Sequence, residues 1–257
     1  FLRSFGWLSG GPVLAYRVLL PARAGRLRSY FFGRALRSAA LIAVWSRAQI
    51  ENYHHAFGIP REKFVFVPYK ANHSKRTPYP MPVGDYIFSG GNSERDYRTL
   101  FEAVRGLSIP VIVSTTNQAT IRGLTVPENV VVVSTVNSAF ERLMAGSRLV
   151  ALCVKANILR GAAEATMLNA LWQGKAVVIA DNISASDYIE HGVDGLIVPA
   201  GDSGQLRRRI LELWNDPVLS ARLGEAARSK VSRLYTHQQW KARMQALAML
   251  LFESASS

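Results

Sequence analysis

Short apolar runs alternate with amphipathic stretches along most of this chain. Strand-like runs fall at 41–45, 64–67, 86–89, 111–114, 130–133, 149–154, 176–180 and 196–198. Helical periodicity is expected between them, at 47–57, 94–105, 118–122, 138–145, 164–173 and 184–191. Three further helices are expected at 203–215, 217–231 and 236–252. Ser46 is expected to cap the first helix, and Gly58 with Pro60 to close it. Strands and helices alternating at this spacing predict an α/β protein with a doubly wound parallel sheet and right-handed crossovers. Ligands of such sheets lie beyond the carboxyl ends of the strands, where the strand order reverses. The stretch 69–83, rich in Pro, Lys, Asn and Ser, breaks the pattern and is expected to be a linker.

Composition adds little to the fold and more to the partners. The chain of 257 residues is 49% hydrophobic and 19% charged, which excludes disorder as its main state. A single cysteine, Cys153, lies in an apolar run, so neither a disulfide framework nor a cysteine-based zinc site is available within one chain. A reducing, cytoplasmic setting fits. The net charge of +13 calls for an anionic partner. Residues 1–50 hold Arg3, Arg17, Arg23, Arg26, Arg28, Arg34, Arg37 and Arg47 without one acidic residue, interleaved with Phe1, Trp7, Tyr16, Tyr30, Phe31 and Phe32. That mixture suits the anionic surface of a membrane, with residues 1–40 lying on the inner face of the plasma membrane. It equally suits apolar residues packed on neighbouring structure with solvated arginines. No run reaches the roughly 20 apolar residues of a spanning helix, and the order of a signal peptide is missing. No helix-turn-helix or aromatic-basic reading surface speaks for nucleic acid, which is not expected as a partner.

Two segments could carry chemistry. Ser89-Gly90-Gly91-Asn92-Ser93-Glu94-Arg95-Asp96 follows a strand and opens a helix. Its glycines let backbone N–H groups approach a ligand, Ser93 could cap the helix, and the helix start favours a phosphate. Arg95 offers a charged fork for diphosphate oxygens, and Asp96 complements the helix dipole. The second segment runs from Arg160 through Gly161, Ala162, Ala163 and Glu164 to Thr166 and Asn169. Small residues again precede a helix start, Asn169 is in reach of a ribose hydroxyl, and Glu164 sits in the first turn. Ser184, Ser186 and Asp187 could line a rim. His54 and His55 are neighbours on a helix and cannot form an i, i+4 metal pair, while His73, His191 and His237 are isolated, so no metal site is expected.

From Gly174-Lys175-Ala176-Val177-Val178 and the run Asp187 to Asp202, with its Gly192, Gly195 and Gly201, the chain resembles family-4-type GT-B glycosyltransferases. Residues 46–70 resemble the end of their acceptor domain and 89–103 the first unit of their donor domain. The resemblance implies acceptor-domain residues at 1–68, a nucleotide-sugar donor domain at 84–232, and a closing helix at 233–257 that returns to the acceptor domain. With its first residue Phe1 and only the tail of an acceptor domain, the chain is expected to be N-terminally incomplete. The resemblance further implies a UDP- or GDP-sugar donor, no cofactor and no metal. The nucleotide sugar would contact Gly90, Gly91, Asn92, Arg95, Gly161, Ala162, Ala163, Thr166 and Asn169, with Arg95 at the place of the family's diphosphate-binding lysine. The acceptor would be a glycan or a lipid-linked or polysaccharide precursor. Aligned on Gly174-Lys175, the family's pair of glutamates falls on Gly161 and Asn169, so both acids are missing. Glu164 is the candidate to stand in for them in catalysis. The departure leaves a rival from another class, a non-catalytic, membrane-associated partner of a glycosyltransferase.

Overall fold

A computed structural model describes residues 12–16, 26–74, 78–156, 158 and 160–256. The chain forms two compact units: a smaller one of residues 1–69, 158–161 and 238–257, and a larger one of residues 70–157 and 162–237. Much of the basic N-terminal stretch, at 1–11 and 17–25, lies outside the described residues.

In the smaller unit, strands β1 (Leu14–Tyr16), β2 (Leu41–Val44) and β3 (Phe64–Phe66) form a parallel sheet in that order, with helices α1 (Arg26–Arg37) and α2 (Ala48–Phe57) between them. The arginine-rich pattern hid β1 and α1, for which no element was expected. Arg47, not Ser46, stands at the N-cap position of α2, and its side chain makes no capping bond. Gln49 folds back instead, its Oε1 accepting the N–H groups of Trp45 and Ser46 at 3.1 and 3.0 Å. Gly58 ends α2 in the left-handed conformation, its N–H on His54 O. Ile42, Val44, Tyr53 and Ile59 form the core. From Gln238 onward, helix α9 (His237–Ser256) groups with this unit, and Trp240 packs its ring 5.6 Å from Tyr16.

The larger unit carries a six-stranded parallel sheet. Its strands are β4 (Ile87–Gly90), β5 (Val111–Ser114), β6 (Val130–Val133), β7 (Leu149–Leu152), β8 (Ala176–Ala180) and β9 (Leu196–Val198), in the order β6-β5-β4-β7-β8-β9. The order reverses between β4 and β7, as a doubly wound sheet requires. Central strands β7 and β8 are buried at every position, which is why they read as unbroken apolar runs. Helices α3 (Tyr97–Val104), α4 (Asn137–Ala145), α5 (Glu164–Trp172), α6 (Ala185–Tyr188), α7 (Ser203–Asn215) and α8 (Pro217–Leu234) complete the unit. Leu100, Phe101 and Val104 of α3 share a core cluster with Leu206, Ile210 and Leu213 of α7. Asp202 caps α7 through Gln205 N–H, and Asp216 caps α8 through Leu219 N–H, with Pro217 in its first turn. The helices expected at 118–122 and 184–191 shrink to a 3-10 turn at Gln118–Thr120 and to the four residues of α6.

Residues 70–83, expected as a linker, group with the larger unit. Ala71 N–H bonds Tyr235 O, Asn72 N–H bonds Asn169 Oδ1, and Tyr79 N–H bonds Gln173 Oε1. Nor is His73 isolated: its Nδ1 lies 2.9 Å from Oε1 of the buried Glu141 on α4. His54 and His191 hold loops through Ile59 O and Ile197 N–H.

Two buried titratable groups make predictions. Burial pushes the Cys153 thiol up, so alkylation by iodoacetamide at pH 8 is expected only after unfolding. Lys175, 8% exposed, donates to Ser147 O at 2.8 Å, and burial lowers its ammonium from 10.5 to about 8. Below about pH 8 the folded and unfolded chains both hold this proton, and the cost of burying charge is carried in full. Between about 8 and 10.5 only the unfolded chain keeps it, so the cost fades as pH rises. Lys175→Met is therefore expected to stabilise the protein by roughly 2 kcal/mol at pH 7, with the gain shrinking towards pH 10 in urea titrations.

Candidate functional site

The site forms where β4 and β7 part, beyond their carboxyl ends. The loop after β4 turns back instead of entering α3 at once. Lys155 N–H bonds Glu94 O at 2.9 Å, Asp96 N–H bonds Cys153 O at 3.0 Å, and Arg95 pairs with Val154. This tie to the end of β7 delays the helix from the expected residue 94 to Tyr97. Asp96, not Ser93, is its cap, with Oδ1 accepting Thr99 N–H at 3.2 Å and Oδ2 the Thr99 hydroxyl at 2.6 Å. The N–H of Thr99 in the first turn of α3 is thereby taken.

Arg95 turns inward and is only 4% exposed. Its Nε donates to Gly90 O, Nη1 to Ser93 O (both 2.9 Å), and Nη2 to Thr166 Oγ1 at 3.1 Å. The guanidinium thus clamps the glycine loop to the first turn of α5. Burial lowers its affinity for the proton, while Tyr97, Glu164 and Cys153 act in the opposite sense. Arginine stays charged under such conditions. Three of its five N–H groups are used, which leaves two without a partner among the described residues.

Gly91 arches over this side chain with φ +119°, and a Cβ there would stand 2.7 Å from Arg95 Cζ. Tyr97 braces the arch, its hydroxyl donating to Gly91 O at 2.7 Å, and burial pushes that hydroxyl up to about 12. Gly90 lies against Phe140 and Phe88, where a Cβ would have no room. The Asn92 side chain is spent on the neighbouring loop: Oδ1 accepts Thr115 Oγ1–H and Thr116 N–H at 2.9 Å, and Nδ2 donates to Thr116 Oγ1 at 2.7 Å.

The second half of the site is the start of α5. Ala163 precedes it in a left-handed conformation, φ +81°, with no side chain capping the helix. The first helical bond is Met167 N–H to Ala163 O, so the N–H groups of Ala165 and Thr166 have no acceptor among the described residues. Glu164, Thr166 and Asn169 are buried. Glu164 Oε1 receives the Ser184 hydroxyl at 2.6 Å, which ties α5 to the loop after β8. Thr166 and Asn169 are one turn apart on the same face. Asn169 Oδ1 accepts Asn72 N–H at 2.8 Å, which turns its amide NH2 the other way.

Gly90, Gly91, Arg95, Thr166 and, through its charge, Glu164 are therefore brought together. Ala162 and Ala163 lead into α5, and Gly161 groups with the smaller unit. Tyr97, Thr115, Thr116 and Asn72 were missed by sequence reasoning. The roles of Thr115, Thr116 and Asn72 rest on contacts distant in sequence, and only the aromatic ring of Tyr97 at the start of α3 could have drawn notice. What the site offers is mostly donors, two backbone N–H groups and an amide NH2, with the guanidinium charge buried beneath the loop. Its complement is rich in acceptor oxygens and negative.

Residues 116–230 match the family described as glycosyl transferases group 1. The chain is similar to the solved structure of sucrose-phosphate synthase from Thermosynechococcus elongatus (TM-score 0.75, 16% identity), covering 91% of this chain and 63% of that one. It is similar to HepE of Anabaena in complex with UDP and glucose (TM-score 0.77, 18% identity, 93% and 71% covered). A glycosyltransferase from Rickettsia africae is also similar (TM-score 0.71, 14% identity, 93% and 70% covered). The chain thus spans less than two thirds of the length of the sucrose-phosphate synthase. No curated protein matches it. Residues 116–230 are thus similar to the glycosyl transferases group 1 family, and the chain has the GT-B fold.

Proposed function

We propose that the larger unit binds a nucleotide-diphosphate sugar and that the protein transfers the sugar to a lipid-linked or polysaccharide-precursor acceptor without a metal ion. The observation that carries this reading is the donor-rich cluster around buried Arg95 at the strand-order reversal. A diphosphate there meets the unbonded N–H groups and dipole of α5, with the guanidinium charge beneath the loop. As the bond from the anomeric carbon to the diphosphate breaks, both stabilise the developing negative charge. Arg95 acts from behind Gly91, so its part is to hold the loop and supply the field. Asn169 turns two N–H donors towards a ribose oxygen. UDP is the nucleotide in the HepE complex, which makes it the first to try. The arginine-rich, aromatic segment 1–40 is proposed to hold the protein against anionic lipid, where a lipid-linked acceptor is found. Among the described residues no helix is long and apolar enough to cross a membrane.

The reaction is tested with labelled UDP- and GDP-sugars, a lipid extract and EDTA. Label passing into the organic phase is the expected result. Label that stays in water with every donor contradicts the lipid-linked acceptor, and activity abolished by EDTA contradicts metal independence. Cosedimentation with anionic but not zwitterionic vesicles, lost in high salt, is expected for the membrane contact. Equal cosedimentation with both contradicts it.

A further inference from the structure

We infer that His73 and Glu141 are positioning residues of the nucleotide site, acting through Asn72 on the amide of Asn169; this rests on the nucleotide-sugar reading above. Glu141 is 4% exposed; its Oε1 faces His73 Nδ1, and its Oε2 has no hydrogen-bond partner among the described residues. A carboxylate buried at that depth with one polar partner fixes that partner strongly. His73 sits in a turn closed by Ser74 N–H and Ser74 Oγ–H on Ala71 O. Asn72 and His73 are its two central residues. The side chain of one is anchored on α4, and the N–H of the other on Asn169 of α5.

This arrangement decides a polarity. An asparagine amide can present either its oxygen or its NH2 to a ligand. A backbone N–H at 2.8 Å accepts only the oxygen, so Asn169 must turn its donors outward. The resemblance places a carboxylate here, an acceptor. This chain offers donors instead, and keeps them in place through the Asn72 N–H of turn 71–74. Phe140, next to Glu141, packs 5.1 Å from Phe88 and lies against Gly90, so the same turn of α4 also borders the glycine loop.

The test is calorimetric titration with UDP and GDP of the wild-type protein, His73→Ala, Asn169→Ala, the double variant and Asn169→Asp. His73→Ala is expected to weaken nucleotide binding roughly fivefold, the scale of one hydrogen bond. In the Asn169→Ala background it should cause no further loss, because its effect runs through that amide. Asn169→Asp keeps the acceptor for Asn72 but removes the donors, and should bind at least as weakly as Asn169→Ala. Unchanged binding by His73→Ala, or the same loss in both backgrounds, overturns the inference and leaves the nucleotide site standing. A wild-type protein that binds neither nucleotide removes the site and the inference with it. If His73→Ala does not fold, His73→Asn, too short to reach Oε1, takes its place.

Discussion

Arg95→Ala is expected to lose nucleotide binding and a large share of the larger unit's stability together. The substitution leaves Gly90 O and Thr166 Oγ1 without their donor in a buried place and opens a cavity of guanidinium size. Unpaired buried polar groups and a cavity together cost about 3 kcal/mol or more. The glycine loop then loses its only clamp to α5 among the described residues, and the site its fixed charge. UDP or GDP should bind on the order of 100-fold more weakly, measured on folded protein at low temperature. Arg95→Lys is expected to behave almost as badly, because one ammonium cannot reach three acceptors set as a fork. Denaturant unfolding gives the stability term separately. Wild-type affinity in either variant would mean that neither the clamp nor the charge of this arginine contributes to nucleotide binding.

Gly91→Ala carries the second largest effect. Two strains add: φ +119° lies in a region that L-residues rarely adopt, and the new Cβ would press on Arg95 at 2.7 Å from Cζ. The backbone term alone is about 1–3 kcal/mol. Relief of the second requires Arg95 to leave its partners, so the variant should copy Arg95→Ala in binding. Gly106→Ala is the control. It has φ +71° but nothing within 4 Å of its Cβ, so about 1 kcal/mol of backbone strain is expected with nucleotide affinity unchanged. If both variants lost the same stability and neither lost affinity, the arch over Arg95 would have no functional weight.

The contrast between these glycines marks what the sequence can tell. The strands of the larger sheet were legible because a central parallel strand is buried on both faces and reads as an apolar run; 176–180 is correct to the residue. The helix starts were less so. Ser93 looked like the cap of α3 because capping is a local signal, yet Asp96 takes that place once residues 94–96 pair with the end of β7. The site depends still more on distant partners. Arg95 and Thr166 are 71 residues apart, and Asn72 and Asn169 are 97 apart. No periodicity links such pairs. Arg95 therefore reads as an exposed fork in sequence and lies buried beneath the loop in the fold. His73 likewise reads as isolated because Glu141 belongs to another helix. Strand β1 and helix α1 escaped for a different reason: β1 has only three residues, arginines interrupt the apolar positions of α1, and the pattern matches a membrane-surface segment as well as a packed one.

The central claim, that a nucleotide diphosphate binds where β4 and β7 part, is tested most directly by calorimetric titration of the wild-type protein and Arg95→Ala with UDP and GDP in the presence of EDTA. The account predicts selective, micromolar-range binding of one nucleotide by the wild type, lost on the order of 100-fold in the variant. A folded wild-type protein that binds neither would contradict it and favour a non-catalytic, membrane-associated partner of a glycosyltransferase, and a variant that binds as well would contradict the place given to Arg95 in the site.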